Sequence, residues 1–215
     1  MEIKQYVWDV VDSNSFLIIE NNKGLLIDAV ENRELYEELT ELDELTIILT
    51  HAHFDHIIGL NNIRNIIPNC RVIATEQCSQ NIGNKYRNMS SSANAYVYFY
   101  NGNSTTIEPF ICDRANLEFV DDYSFKWFGH YVKLESLHGH SSDGLIVLFD
   151  DNLVFSGDSL LNVPTITRFP GGSNKRFLEE DIPKFIKLMK NVEMVYPGHG
   201  EVGKLAYMLK VNKVL

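Results

Sequence analysis

With 215 residues, 45% of them hydrophobic, the chain can bury one sizeable core and reads as a single domain over residues 1–215. Its net charge of −10 argues against general nucleic-acid affinity, which depends on neutralising phosphates with Lys and Arg; a small anion held by local cations stays open. No apolar run approaches the ~20 residues of a membrane helix, the start (Met1-Glu-Ile-Lys-Gln-Tyr) has no apolar leader, and the odd, irregularly spaced Cys70, Cys78 and Cys112 suggest neither a disulfide framework nor a cysteine metal site. The expectation is a soluble cytoplasmic protein.

Residues 3–11, 15–20 and 24–28 read as short strands, with Asn21-Asn22-Lys23-Gly24 as a hairpin turn. Residues 31–42 have helical character, since Leu35, Leu39 and Leu42 recur at helical spacing. The β-branched run 46–50 reads as a buried strand. Directly after it come His51, His53, Asp55 and His56, four metal-capable side chains within six positions. Burying them among apolar groups would orphan their nitrogens and oxygens. A cation removes that penalty, and imidazole with carboxylate suits Zn, Fe or Mn. The bland alternative is a polar surface loop.

A helix is expected from near His56, carrying Ile57, Leu60, Ile63, Ile66 and Ile67 until Pro68 ends it. Residues 71–74 form a strand and 76–87 a polar helical stretch. Residues 88–116 break the pattern with a turn-like start and then Tyr96, Tyr98, Phe99 and Tyr100. They read equally as an aromatic patch, covering the core or mediating dimerisation, and as the lid of a substrate cleft. Strands follow at 117–120, 125–128, 131–137, 144–149 and 153–156, the last two joined by Asp150-Asp151-Asn152. A helix of roughly 16 residues from Asn174 places Phe177, Leu178, Ile182, Phe185, Ile186 and Met189 on one face. Pro183 should kink or restart it. A strand at 193–196 and a helix at 201–211 complete the chain. Both halves run strands, helix, strand, helix, which suggests two sheets face to face with helices outside, an α/β sandwich.

Three more metal-capable residues recur after strands beside glycine: His140 in Leu137-His-Gly-His-Ser-Ser-Asp-Gly, Asp158 in Val154-Phe-Ser-Gly-Asp-Ser, and His199 in Val195-Tyr-Pro-Gly-His-Gly. Glycine there lets the backbone turn tightly and loops approach closely. Each alone reads as an ordinary turn. Beside the first cluster, they read as ligands.

Together these motifs resemble the metallo-β-lactamase-fold hydrolase superfamily. His51, His53, Asp55 and His56 match its His-x-His-x-Asp-His signature, His140 its Gly-His-Ser/Thr, Asp158 its Gly-Asp after a strand, and His199 its Pro-Gly-His-Gly. The resemblance implies an α/β fold of the four-layer αββα type and two divalent metal ions, zinc ahead of iron or manganese. It places His51, His53 and His140 on one ion, Asp55, His56 and His199 on the other, with Asp158 bridging. It implies attack on a thioester, ester or lactone carbonyl by a metal-bridged hydroxide, with Asp55 and Asp158 as the catalytic, proton-handling groups.

Arg168-Phe-Pro-Gly-Gly looks like the Leu-Pro-Gly-Gly segment of small thioesterase-like members similar to glyoxalase II. Arg168, Lys175 and Arg176 read as a solvated loop or as a clamp for a substrate carboxylate or phosphate. Tyr196 and the aromatics of 96–100 are weaker candidates for an apolar wall. The chain departs from the family at His138, where proline is common, and at Ile58, where glycine is frequent; it also lacks room for the C-terminal extension of a full glyoxalase II. Gly139 selects His140 over His138 as ligand. His138 then reads as an exposed strand-end residue ahead of a side chain that orients a ligand, His130 as no ligand, and Ser156 and Ser159 as structural. The expected partner is a small-molecule substrate, with no nucleic acid and no membrane; homo-oligomer formation stays open. Competing readings are a phosphodiesterase on the same metals, a mono-iron persulfide dioxygenase-like oxidoreductase, and a silent scaffold.

Overall fold

Strand β1 (Glu2–Trp8) pairs antiparallel with β2 (Ser13–Glu20), and β2 with β3 (Lys23–Ile27). Asn21 and Asn22 form the β2–β3 turn in left-handed backbone, at φ 51° and 61°. Asn tolerates that conformation, and the turn's twist matches that of the flanking strands. The computed structural model describes residues 2–102 and 105–212. They fall into two units, 1–118 and 119–215, each with its own sheet and helices.

In the first unit, helix α1 (Arg33–Leu39) is capped by the Asn32 side chain, which accepts from Leu35 N. It returns the chain to β4 (Glu44–Ile48), parallel to β3. Helices α2 (Phe54–Ile57) and α3 (Leu60–Ile66) lead to β5 (Arg71–Thr75), parallel to β4. Then come α4 (Glu76–Ile82), α5 (Ala93–Asn101) and the edge strand β6 (Leu117–Phe119). Leu17, Leu26, Ile47 and Val72 of the sheet pack with Leu35, Leu39, Leu60, Ile63 and Ile82 of the helices. Each such side chain contributes about 1.5–3 kcal/mol on burial.

Two expectations for this unit change. The single helix from His56 to Pro68 is divided at Gly59. Ala29 N donates to His56 O and Gly59 N to Ala29 O, both at 2.8 Å. The helix therefore loses its own bonds there. A Cβ on Gly59 would lie 2.3 Å from Val30 O. The aromatic run at 96–100, in turn, is helical, because α5 ends on Gly102 in left-handed backbone (φ 72°). Val97 is buried with Trp8, Val11 and Phe54, while Tyr98 and Phe99 are exposed. Asn103 and Ser104, within the 88–116 stretch, lie outside the described residues.

The second unit is a meander of β7 (Asp122–Trp127), β8 (His130–Ser136), β9 (Leu145–Phe149) and β10 (Leu153–Gly157). A helical segment follows as α6 (Asn174–Arg176), a π-turn at Phe177–Asp181, and α7 (Ile182–Leu188). Strand β11 (Met194–Pro197) pairs parallel to β10, β12 (Gly203–Lys204) pairs antiparallel to β11, and α8 (Leu205–Val211) ends the unit. Ile146, Leu148, Val154 and Val195 of the sheet pack with Phe177, Ile182, Phe185, Met189 and Met208. The buried face of 174–188 differs from the expected one: Asp181 is inside, while Leu178 and Ile186 are exposed. The π-turn inserts one residue and re-phases the helix. Among the described residues, no helix is long and apolar enough to cross a membrane.

Candidate metal centre

Every candidate ligand lies beyond the C-terminal end of a strand, where a loop can aim side chains while the sheet holds its base. After β4 the chain passes through His51 and His53 into α2, which carries Asp55 and His56. In the second unit His140 follows β8, Asp158 follows β10 and His199 follows β11.

In the first unit His51, His53, Asp55 and His56 are all buried, and a further buried acid, Asp28, organises them. Asp28 Oδ1 accepts from Thr50 N at 2.7 Å; Oδ2 accepts from Thr50 Oγ1 at 2.7 Å and from His56 Nδ1 at 2.9 Å. Thr50 gives its one hydroxyl proton to Asp28. At 3.1 Å from His51 Nδ1, its oxygen is therefore the acceptor. Both His51 and His56 thus carry a proton on Nδ1, and in the neutral ring this makes Nε2 the acceptor nitrogen. His51 Nε2 is 3.1 Å from His53 Nδ1, and His56 Nε2 is 3.8 Å from Asp55 Oδ2. The sequence reading missed Asp28. Its signal was a carboxylate closing the apolar run Leu25-Leu26-Ile27, where an acid is tolerated only if hydrogen-bonded.

In the second unit His140 Nδ1 donates to Ile166 O at 2.7 Å, which in the neutral ring makes Nε2 the acceptor nitrogen. That Nε2 is 3.5 Å from Asp158 Oδ2, and His199 Nε2 is 3.4 Å from the same oxygen. A bare imidazole nitrogen facing a carboxylate oxygen is acceptor against acceptor, which repels unless a cation lies between them. Two donors ~2.1 Å from a tetrahedral ion stand about 3.4 Å apart. Donor chemistry, fixed tautomers and spacing therefore fit a divalent ion.

The loop that carries His140 is closely packed. A Cβ on Gly172 would lie 2.5 Å from His140 O, and Ser173 N donates to Gly139 O at 2.7 Å. The Phe169-Pro-Gly-Gly segment therefore supports the His140 loop. His138, expected to be exposed, is half-buried, and its Nδ1 has no hydrogen-bond partner among the described residues. His130 bonds to Asp150 Oδ2 at 2.6 Å. Ser156 Oγ donates to Leu160 O at 2.7 Å, a structural role. Burial pushes the Cys112 thiol up to about 12 and raises that of Cys70, which makes both poor nucleophiles.

The substrate candidates separate. Arg168 lines a cavity of ≈ 710 Å³ together with Ile166, Thr167, Asn174, Phe177 and Leu178. Lys175 and Arg176 are exposed, and Lys175 instead faces Glu179 at 3.8 Å, a surface pair of little worth. Tyr196 packs on Phe155, with ring centroids 5.0 Å apart.

Residues 8–199 match the family model described as metallo-beta-lactamase superfamily. The chain is 26% identical to a probable metallo-hydrolase of Streptococcus pyogenes serotype M6, over 99% of this chain and 89% of that protein. It is 24% identical to an atrochrysone carboxyl ACP thioesterase of Aspergillus fumigatus, over 88% of this chain and 51% of that protein, so it spans about half that relative's length. A hydroxyacylglutathione hydrolase of Francisella tularensis subsp. holarctica is 23% identical over 98% of this chain and 73% of its own length. Among solved structures, a B3 metallo-beta-lactamase matches with a TM-score of 0.79 over 98% of each chain at 20% identity, a likeness of fold.

Proposed function

We propose that this chain, which belongs to the metallo-beta-lactamase superfamily, is a binuclear metal-dependent hydrolase whose substrate is a thioester, ester or lactone. The observation that carries the reading is Asp158 Oδ2, 3.5 Å from His140 Nε2 and 3.4 Å from His199 Nε2, with His140 Nδ1 already committed to the Ile166 carbonyl. His51, His53 and His140 would hold one ion and Asp55, His56 and His199 the other, with Asp158 shared, as the resemblance to the family implies. When bound, divalent ions lower the pKa of water toward ~7 and polarise the carbonyl under attack.

The chain's own residues supply the rest. Asp28 and the Ile166 carbonyl hold His56 and His140 in the tautomer that leaves Nε2 open. The carboxylates of Asp55 and Asp158 accept a hydrogen bond from the attacking water and orient it. Arg168 gives the cavity beside Ile166 a cation for an anionic end of the substrate, with Phe177 and Leu178 against its apolar part. The thioesterase and hydroxyacylglutathione hydrolase relatives favour a thioester over a phosphodiester. Cys70, Cys78 and Cys112 are buried and form no disulfide among the described residues, which suits the reducing cytoplasm.

Metal analysis of the purified protein, joined to a panel of thioesters, lactones and phosphodiesters, tests this. The expected result is two ions per chain, zinc first, with thioester turnover ahead of the other classes. Phosphodiester turnover alone, or a single iron with oxygen consumption, sinks it. In the same assay Arg168→Ala should raise KM about tenfold or more for substrates with a carboxylate, since one charge-assisted hydrogen bond is worth about 1.5–3 kcal/mol. Neutral analogues should be unaffected; an equal change for both would remove Arg168 from substrate binding.

A further inference from the structure

We propose that Asp181 is a positioning residue for His140, turned onto the ligand loop by the π-turn that Pro183 imposes. This rests on the reading of His140 as a ligand given above.

Proline at 183 has no N–H to give to the carbonyl of Glu179, and in an α-helix its ring would collide with that carbonyl. The chain avoids the collision by widening one turn. Ile182 N bonds to Phe177 O, five residues back, across Phe177–Asp181. The inserted residue rotates the following side chains by about 100° relative to an unbroken helix. Phe177, Asp181, Ile182 and Phe185 are consequently all buried. A carboxylate thereby occupies a buried face that the sequence pattern assigns to leucine and isoleucine.

That carboxylate is committed to the loop between β8 and His140. Asp181 Oδ2 accepts from Gly139 N at 2.7 Å and Oδ1 accepts from His138 N at 3.1 Å. Gly139 lies so close that a Cβ there would be 2.4 Å from Asp181 Oδ2 and 2.6 Å from Phe177 Cβ. Lys184 takes hold one step earlier, donating to Ser136 O at 3.0 Å and pairing with Glu135 at 2.7 Å. The helical segment therefore grips Glu135, Ser136, His138 and Gly139, and the next residue is His140. Two convergent backbone donors are a strong motive to keep a buried acid there. Asp181 touches no reacting atom. It sets where His140 begins, while the Ile166 carbonyl sets which nitrogen His140 offers.

Cobalt(II) titration of the metal-free full chain, followed by its visible absorption and by competition with a chromogenic chelator, tests the proposal. Asparagine in Asp181→Asn keeps one acceptor and turns an NH2 against the other backbone N–H. Loss of partners that orient a metal ligand typically costs 10–100-fold in affinity. The expected result is that one of two cobalt equivalents weakens about tenfold or more and its ligand-field bands shift. The other equivalent, and the melting temperature of the metal-free protein, should stay near wild type. Should Asp181→Asn not fold, Pro183→Ala at an exposed position is scored the same way, since an α-helical register would carry Asp181 off the loop. Wild-type affinity and bands for both equivalents in the folded variant overturn the positioning role. Failure of the wild-type chain to bind cobalt overturns the site reading itself, and this inference with it.

Discussion

If the protein is the metal hydrolase proposed, exhaustive removal of divalent metal, or Asp158→Ala, should lower kcat/KM for a thioester by several orders of magnitude. Water alone has a pKa of about 15.7, against about 7 when it is held by zinc, so unassisted hydroxide is roughly 10⁸-fold scarcer at neutral pH. Neither Ser156, which is bonded to Leu160 O, nor Cys112, whose thiol is pushed up to about 12 by burial, stands ready to replace it. Asp158 is the side chain to remove because one of its oxygens faces two histidines, His140 and His199, at 3.5 Å and 3.4 Å. The check is steady-state kinetics before and after chelation, with zinc, iron or manganese added back. Turnover that survives both chelation and Asp158→Ala ends the metal-hydrolase reading.

The second large effect falls on Asp28, which is expected to reach no substrate. Asp28→Ala should lower unfolding free energy by about 3–5 kcal/mol and weaken metal binding about 10–100-fold. Three buried donors lose their acceptor together: Thr50 N, Thr50 Oγ1 and His56 Nδ1. Asp28 already holds its Cβ in left-handed backbone at φ 59°, and alanine lacks the short polar side chain that makes this conformation tolerable. Asp28→Asn should fall in between, since asparagine tolerates left-handed backbone and retains one acceptor. Urea unfolding of the metal-free protein separates the stability effect, and a zinc competition titration the affinity effect. An Asp28→Ala protein as stable as wild type, with unchanged zinc affinity, refutes this role.

Much of the layout was legible because it is written in local periodicity and spacing. The strand–helix order of both units follows from alternating and helical apolar patterns, and Asn21-Asn22 marks its own turn. Of the seven candidate ligands, His51, His53, Asp55 and His56 stood out as a cluster directly after a strand, and His140, Asp158 and His199 as metal-capable residues beside glycine at strand ends. The helix at Ala93–Asn101 was hidden by its aromatics, which have modest helix propensity and resemble a strand or patch; the left-handed Gly102 that closes it was the overlooked signal.

By itself, then, the sequence determined the α/β class, most of the order of elements, the family and the residue types able to hold a metal. Tertiary structure decided what acts on those residues from a distance. Asp28 stands 28 positions before His56, and Asp181 42 after Gly139; no local pattern couples residues so far apart. Only packing turns an acid at the end of an apolar strand into the acceptor that selects a histidine tautomer. Only the collision avoided at Pro183 re-phases a helix so that a charge, and not Leu178, points inward. Periodicity fixes which side chains can share a face, whereas hydrogen-bond satisfaction across the fold fixes which of them the interior accepts.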